Sequence, residues 1–185
     1  MGDNIFYGQY FSNILETAAQ QNSGATIFGY HVKDPERFGI AELNKAGRII
    51  SIKEKPIKPK SNYAITGLYF YDNEVIDISK SIKPSPRGEL EITDINNAYL
   101  CKGNLDIKIL GRGFTWLDSG THDSLLEASQ FVQTLEERQG LKVACLEEIG
   151  FEKGWLDKSF LIRQTKKIKN NKYGEYLLSL IEKKN

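Results

Sequence analysis

Apolar positions along the chain recur with two periods, one helical and one of strands. Phe11, Ile14, Leu15, Ala18 and Ala19 fall at i, i+3, i+4, i+7 and i+8, a single stripe that predicts an amphipathic helix closed by Gly24. Residues 25–30 are almost continuously apolar and predict a strand buried on both faces. Residues 40–43 and 48–55 predict the arms of a hairpin, an add-on to the main sheet, with Asn44-Lys45-Ala46-Gly47 as its turn. Pro56 stops the second arm, which leaves Glu54 and Lys55 at the rim. Residues 62–72 form the strongest strand pattern. Gly67 interrupts it, which marks either a bulge or the close approach of a ligand or another backbone.

Further on, residues 74–82 predict a short helix, and Ile95, Ala98 and Tyr99 belong to another that Lys102-Gly103-Asn104 ends. Residues 105–110 and 114–117 predict two strands, and residues 122–139 the longest helix, with Leu125, Ala128, Val132 and Leu135 on one face. Beyond it the pattern turns all-helical, at residues 147–153, 156–167 and 173–183. The sum is an α/β fold: a mixed sheet with helices on both faces and a helical C-terminal layer. Residues 1–140 are expected to form the α/β domain and residues 141–185 a helical segment packed on it. Gly2-Asp3-Asn4 has loop chemistry, as though a strand should precede it.

The 185 residues are 40% hydrophobic and 26% charged, a soluble globular composition. A net charge of +1 supplies no long-range field for nucleic acid or an anionic membrane, so neither is an expected partner. The basic runs at Lys166-Lys167-Ile168-Lys169 and Lys183-Lys184 read as solvated helix faces and a chain end. Cys101 and Cys145 are far apart, with no CxxC spacing, and predict two packed, reduced thiols in a cytoplasmic protein. No run reaches membrane-spanning length and no signal-peptide pattern opens the chain.

Nucleophile chemistry finds no support. There is no G-x-S-x-G, and the two histidines, His31 and His122, sit at the ends of unrelated elements. What remains is acidic residues at strand ends: Asp3, Asp118 and Glu54, the last with Lys55 beside it. Asp118 follows Phe114, Trp116 and Leu117 and precedes a glycine turn and a helix start, where α/β proteins place ligand-binding groups. It could equally shape the turn or cap the helix, with Thr121 and Asp123 as rival caps. Glu91 and Asp94 could simply be acidic residues of a first helical turn. Two carboxylates without histidine suit a hard cation such as Mg²⁺, with substrate phosphates and waters completing its shell. A lysine at the same rim can hold a phosphate as a point charge. Together these groups fit phosphoryl or nucleotidyl transfer.

Five runs carry a resemblance: Gly2-Asp3-Asn4-Ile5-Phe6-Tyr7-Gly8, Glu54-Lys55-Pro56, residues 64–73, residues 87–96 and residues 116–122. In that order and spacing the chain resembles the glucose-1-phosphate thymidylyltransferase family. The resemblance implies a nucleotide-diphospho-sugar transferase fold of Rossmann-like type. It implies a Mg²⁺-dependent reaction of dTTP with glucose 1-phosphate to dTDP-glucose and pyrophosphate, leading toward dTDP-rhamnose. The sugar phosphate would attack the α-phosphorus in line, with no covalent enzyme intermediate. By the same resemblance Asp3 and Asp118 match the metal aspartates, and Lys55 the lysine that meets the sugar phosphate. Asn4, Gly39, Glu54, Ile65, Glu89 and Trp116 match substrate-binding positions. Tyr7, Gly8, Arg112, Cys145, Glu148 and Ile149 fall where an effector site between subunits of a homotetramer would lie. Gln9 stands where many members have histidine. The family's glycine-rich phosphate loop has no counterpart, since no G-x-G-T-R-like stretch occurs in these residues. The expectation is therefore a C-terminal portion without transferase activity of its own, prone to association through an exposed sheet edge. The alternative is a non-catalytic module that binds a sugar nucleotide or assembles with other subunits.

Overall fold

The computed structural model describes residues 3–168 and 171–183, with side chains as far as Glu182. The readings placed on Met1, Gly2, Lys169 and Lys184, and on the side chain of Lys183, lie outside the described residues. The chain divides into two compact units, Met1–Ser124 and Leu125–Asn185.

Among the described residues every strand lies in the first unit. Five form one mixed sheet in the order β4-β3-β5-β2-β6: β2 (Ala25–His31), β3 (Gly39–Leu43), β4 (Ile49–Glu54), β5 (Tyr63–Tyr71) and β6 (Leu105–Leu110). Only β2 and β6 run parallel. Alternate residues of β2 point to opposite faces and recruit different helices. Ala25 packs with Ile78 of α2 (Val75–Ser81) and with Ile95 and Tyr99 of α3 (Ile92–Cys101). Phe28 packs with Ala18 of α1 (Phe11–Ala19) and with Leu110. The helical stripe read from Phe11 to Ala19 is thus the face laid on the sheet.

Three expectations need correction. The hairpin is not an add-on: β3 pairs with β5 through Ile40↔Ala64 and Ala41↔Tyr63. Ile40 and Ala41 are both buried, so this arm needs a neighbour on each side. Residues 4–7 are strand rather than loop. They form β1 (Asn4–Tyr7), which pairs antiparallel with β7 (Thr115–Asp118) in a separate two-stranded sheet. Asp3 stands directly before β1. Finally, only Cys145 is a packed thiol. Cys101, in the last turn of α3, is exposed.

At Gly67 the bulge is found, and the group that approaches closely is a side chain rather than a ligand or another backbone. The β2–β5 register slips between Ile27↔Tyr69 and Gly29↔Ile65, so β5 bulges around Gly67. A Cβ there would lie 2.7 Å from Nδ2 of Asn4, closer than any side chain tolerates.

The second unit is helical, with the body of α4 (His122–Gln139), α5 (Leu146–Glu152), α6 (Lys158–Lys167) and α7 (Lys172–Lys183). Asp157 caps α6 by accepting from the Phe160 N–H at 2.6 Å. Cys145, Tyr176 and Leu177 form its buried centre. On α4, Ala128 is buried as expected but Leu125 is half exposed. Among the described residues no helix is long and apolar enough to cross a membrane.

Candidate active site

The site is built where strand ends of the first unit meet. Because β1 and β7 are antiparallel, the start of one lies beside the end of the other, and Asn4 faces Asp118. The Asp3 carbonyl accepts from both the backbone N–H and the hydroxyl of Ser119, each at 2.8 Å. Two aspartates separated by more than a hundred residues are thus fixed to adjacent backbone.

Asn4 joins this ribbon to the main sheet. Its Oδ1 accepts from the Gly67 N–H at 3.0 Å and from the Trp116 indole N–H at 2.6 Å, while its Nδ2 donates to Asp3 Oδ1 at 3.0 Å. All three bonds require the amide side chain so oriented. Gly67 lacks a side chain because Asn4 occupies that space.

Asp3, Asn4, Gly39, Glu54, Lys55, Ile65, Trp116 and Asp118 line one cavity of about 840 Å³. Trp116 is nearly buried and its ring meets those of Tyr30 and Phe38, which holds it as a rigid wall. Gly39 lies opposite Glu54 in the β3–β4 ladder. A Cβ on it would come within 3.1 Å of Glu54 Oε2 and 3.2 Å of Thr93 Oγ1. Its hydrogen therefore leaves room for the Glu54 carboxylate, which accepts from Thr93 Oγ1 at 2.5 Å. Lys55 has φ of 38°, a left-handed backbone uncommon for a non-glycine residue, and its N–H is held by the Phe38 carbonyl at 3.0 Å. Among the described residues its ammonium forms no ion pair.

Asp118 does not cap α4. Thr121 and Ser124 do that reciprocally: the Thr121 N–H donates to Ser124 Oγ at 3.0 Å and the Ser124 N–H to Thr121 Oγ1 at 3.2 Å. The Asp118 carboxylate is left without a hydrogen-bond or ion-pair partner among the described residues. Asp3 forms no salt bridge there either. No group of three or more His, Cys, Asp or Glu that could hold a metal occurs among the described residues. Two carboxylates with uncommitted oxygens beside an open cavity still fit a Mg²⁺ ion, which takes one or two carboxylates and leaves its other positions to water and phosphate.

Sequence reading missed several lining residues, Arg37, Tyr69 and Thr93 among them. Burial first, then the Glu54 charge, pushes the Tyr69 hydroxyl up to about 12, so it stays a neutral donor in the cavity. The β-rich pattern of 62–72 shows Tyr69 as a strand residue, but only the bulge at Gly67 fixes which face it takes. Glu89 does not line the cavity. It pairs with Arg87 at 2.8 Å, and Arg87 lies 3.9 Å from Glu54.

The residues expected at an effector site divide between the units. Tyr7 pairs with Thr115, a Cβ on Gly8 would overlap the Phe114 ring, and Arg112 lies in the β6–β7 turn. In the second unit Cys145 Sγ lies 3.3 Å from the Tyr173 hydroxyl, Glu148 accepts from the Tyr176 hydroxyl at 2.6 Å, and Ile149 is partly exposed.

The nucleotidyl transferase family model matches residues 1–134. The chain is 55% identical over 183 residues to a glucose-1-phosphate thymidylyltransferase of Neisseria meningitidis, covering 99% of this chain and 64% of that protein. It is 49% identical to one of Mycobacterium tuberculosis, covering 99% of this chain and 63% of that protein. A crystal structure from Bacillus anthracis, described as a glucose-1-phosphate thymidylyltransferase in complex with sucrose, is similar with a TM-score of 0.60 and 47% identity, covering 70% of this chain and 51% of that one. The chain thus spans less than two thirds of the length of these relatives. The family match covers most of the chain and the fold agrees with it: this chain belongs to the nucleotidyl transferase family.

Proposed function

We propose that this chain carries the sugar-phosphate and metal site of a glucose-1-phosphate thymidylyltransferase, the enzyme that joins dTTP and glucose 1-phosphate into dTDP-glucose with release of pyrophosphate. The observation that carries this reading is the convergence of Asp3, Asp118, Glu54 and Lys55 on one cavity, with Gly39 and Gly67 cleared of side chains around them.

In this reading Glu54 accepts hydrogen bonds from sugar hydroxyls, held in place by Thr93. The Lys55 ammonium, without an ion pair among the described residues, takes the sugar phosphate. Trp116 and Ile65 give the sugar an apolar wall. Asp3 and Asp118 would hold Mg²⁺, which offsets negative charge on the phosphates. The sugar phosphate attacks in line, and these side chains position it rather than react. Assembly as a homo-oligomer, a cytoplasmic location and a place on the way to dTDP-rhamnose belong to the same proposal and rest on the sequence reading alone.

Calorimetry with dTDP-glucose and Mg²⁺, beside an assay of pyrophosphate release from dTTP and glucose 1-phosphate, tests it. Binding that Glu54→Gln weakens supports the site. Binding without turnover identifies a sugar-nucleotide-binding module, and absence of binding overturns the reading.

A further inference from the structure

Glu54 and Lys55 are neighbours in the chain, yet both line the cavity. Consecutive side chains of an extended strand point to opposite faces, so an ordinary β4 would send only one of them there. The alternation holds up to that point. Ile52 and Glu54 share one face, with Ile52 packed in the core against Ile27 and Ile65. Lys53 lies on the other, where it lines a small hollow with Ile40, Glu42, Pro56, Lys58 and Lys60. Lys55 would follow Lys53 onto that face if its backbone stayed extended. Its φ of 38° turns it back to the side of Glu54 instead.

Two local preferences oppose this conformation. A side chain with a Cβ crowds its own backbone at positive φ. Lys55 also precedes Pro56, and the proline ring steers the residue before it toward an extended backbone. The Lys55 N–H, bonded to the Phe38 carbonyl at 3.0 Å, is the last rung beside the Gly39↔Glu54 pair, so the chain turns directly after a fixed point. Charge favours the turn. An extended Lys55 would join Lys53, Lys58 and Lys60. The left-handed one faces a cavity where Asp3, Glu54 and Asp118 outnumber Arg37.

We propose that the left-handed backbone at Lys55 is a positioning device, kept at the expense of stability because it sets the ammonium beside the Glu54 carboxylate in one cavity. The ligand it suits is a sugar 1-phosphate, whose hydroxyls and phosphate are then taken by two successive residues. That choice of ligand rests on the function proposed above; the strain does not. Glycine takes positive φ freely, so it fits position 55 better than alanine does, and lysine stands there for its charge.

Thermal unfolding of the ligand-free 185-residue chain tests the strain. Lys55→Gly should melt about 2–4 °C above Lys55→Ala. At Lys53, within β4 and on the other face, the order should reverse, because glycine weakens an ordinary strand. A strong intraresidue Overhauser effect between the Lys55 amide and its Hα reports the positive φ without any substitution. Calorimetry with glucose 1-phosphate tests the placement. Lys55→Ala and Lys55→Gly should lose the same affinity, roughly tenfold to hundredfold, and both Lys53 variants should keep that of the parent. Glycine melting no higher than alanine at position 55, the same order at both positions, or a weak Overhauser effect overturns the strained turn. Lys55→Gly that binds as tightly as the parent overturns the positioning role. A parent chain that binds no glucose 1-phosphate refutes the functional reading of the cavity and the positioning role with it, while the strain stands or falls on the melting order.

Discussion

Two stretches of this chain look alike and do opposite things. Tyr71-Asp72 ends β5 and leads through Asn73-Glu74 into α2. Leu117-Asp118 ends β7 and leads through Ser119-Gly120-Thr121 into α4. Asp72 spends its carboxylate on the fold. It accepts from the Gly24 N–H at 2.6 Å, the Tyr99 hydroxyl at 2.7 Å and the Glu74 N–H at 3.0 Å. At Asp118 the capping duty has passed to Thr121 and Ser124, and the carboxylate lines the cavity. An acidic residue between a strand and a helix is thus structural or available for a ligand according to whether nearby donors use its lone pairs. Local sequence does not report that.

The largest expected effect separates the two directly. Asp118→Asn should remove Mg²⁺-dependent binding of glucose 1-phosphate while leaving the melting temperature unchanged. Asp72→Asn should lower the melting temperature and leave the cavity's ligand affinity alone. Calorimetry and thermal unfolding on both variants check this, and matching behaviour would dissolve the distinction. The difference extends to pH. The Tyr99 hydroxyl and then the Gly24 N–H hold the Asp72 carboxyl below its ordinary value of 3.8. Its contribution to stability is therefore complete above that value and lost as pH falls through the lower folded one. Asp72→Asn should flatten the acid side of the stability profile, and Asp118→Asn should not.

Next in size, Lys55→Ala should weaken glucose 1-phosphate binding roughly tenfold to a hundredfold, the loss of a hydrogen-bonded charge. Gly67→Ala pushes a methyl group into the Asn4 amide and should cost about 1–3 kcal/mol of stability, with a change in Trp116 fluorescence because the same amide holds the indole. Unaltered fluorescence would mean that Asn4 does not couple the two sheets. The smallest effect is at Tyr69. Its hydroxyl pKa is raised from 10.0 to about 12, so the neutral form's contribution is complete below pH 10 and lost as pH climbs toward 12. Since burial outranks the Glu54 charge as a cause, Glu54→Gln should lower that value only modestly, as read from absorbance at 295 nm.

Much of this was legible beforehand where periodicity speaks. The stripe from Phe11 to Ala19, the alternation of β4 and the long apolar run of β5 each reported its element. The lining residues at strand ends, Glu54, Lys55 and Asp118, were visible because Pro56 and Gly120 punctuate the pattern. β1 was missed because Ile5-Phe6-Tyr7 is too short to show a period and its partner β7 lies more than a hundred residues away. Thr93 looked like an ordinary first-turn residue of α3, since its bond to Glu54 comes from packing. Glu89 matched a motif, yet its carboxylate turns to Arg87 instead of the cavity.

Whether Asp3 and Asp118 form one cation site can be measured with Mn²⁺ as a paramagnetic stand-in for Mg²⁺, following water-proton relaxation in the presence of glucose 1-phosphate. One ion per chain, displaced by Mg²⁺ and lost in both Asp3→Asn and Asp118→Asn, is the expected result. Binding that survives both substitutions, or an ion that only one of them releases, would contradict it.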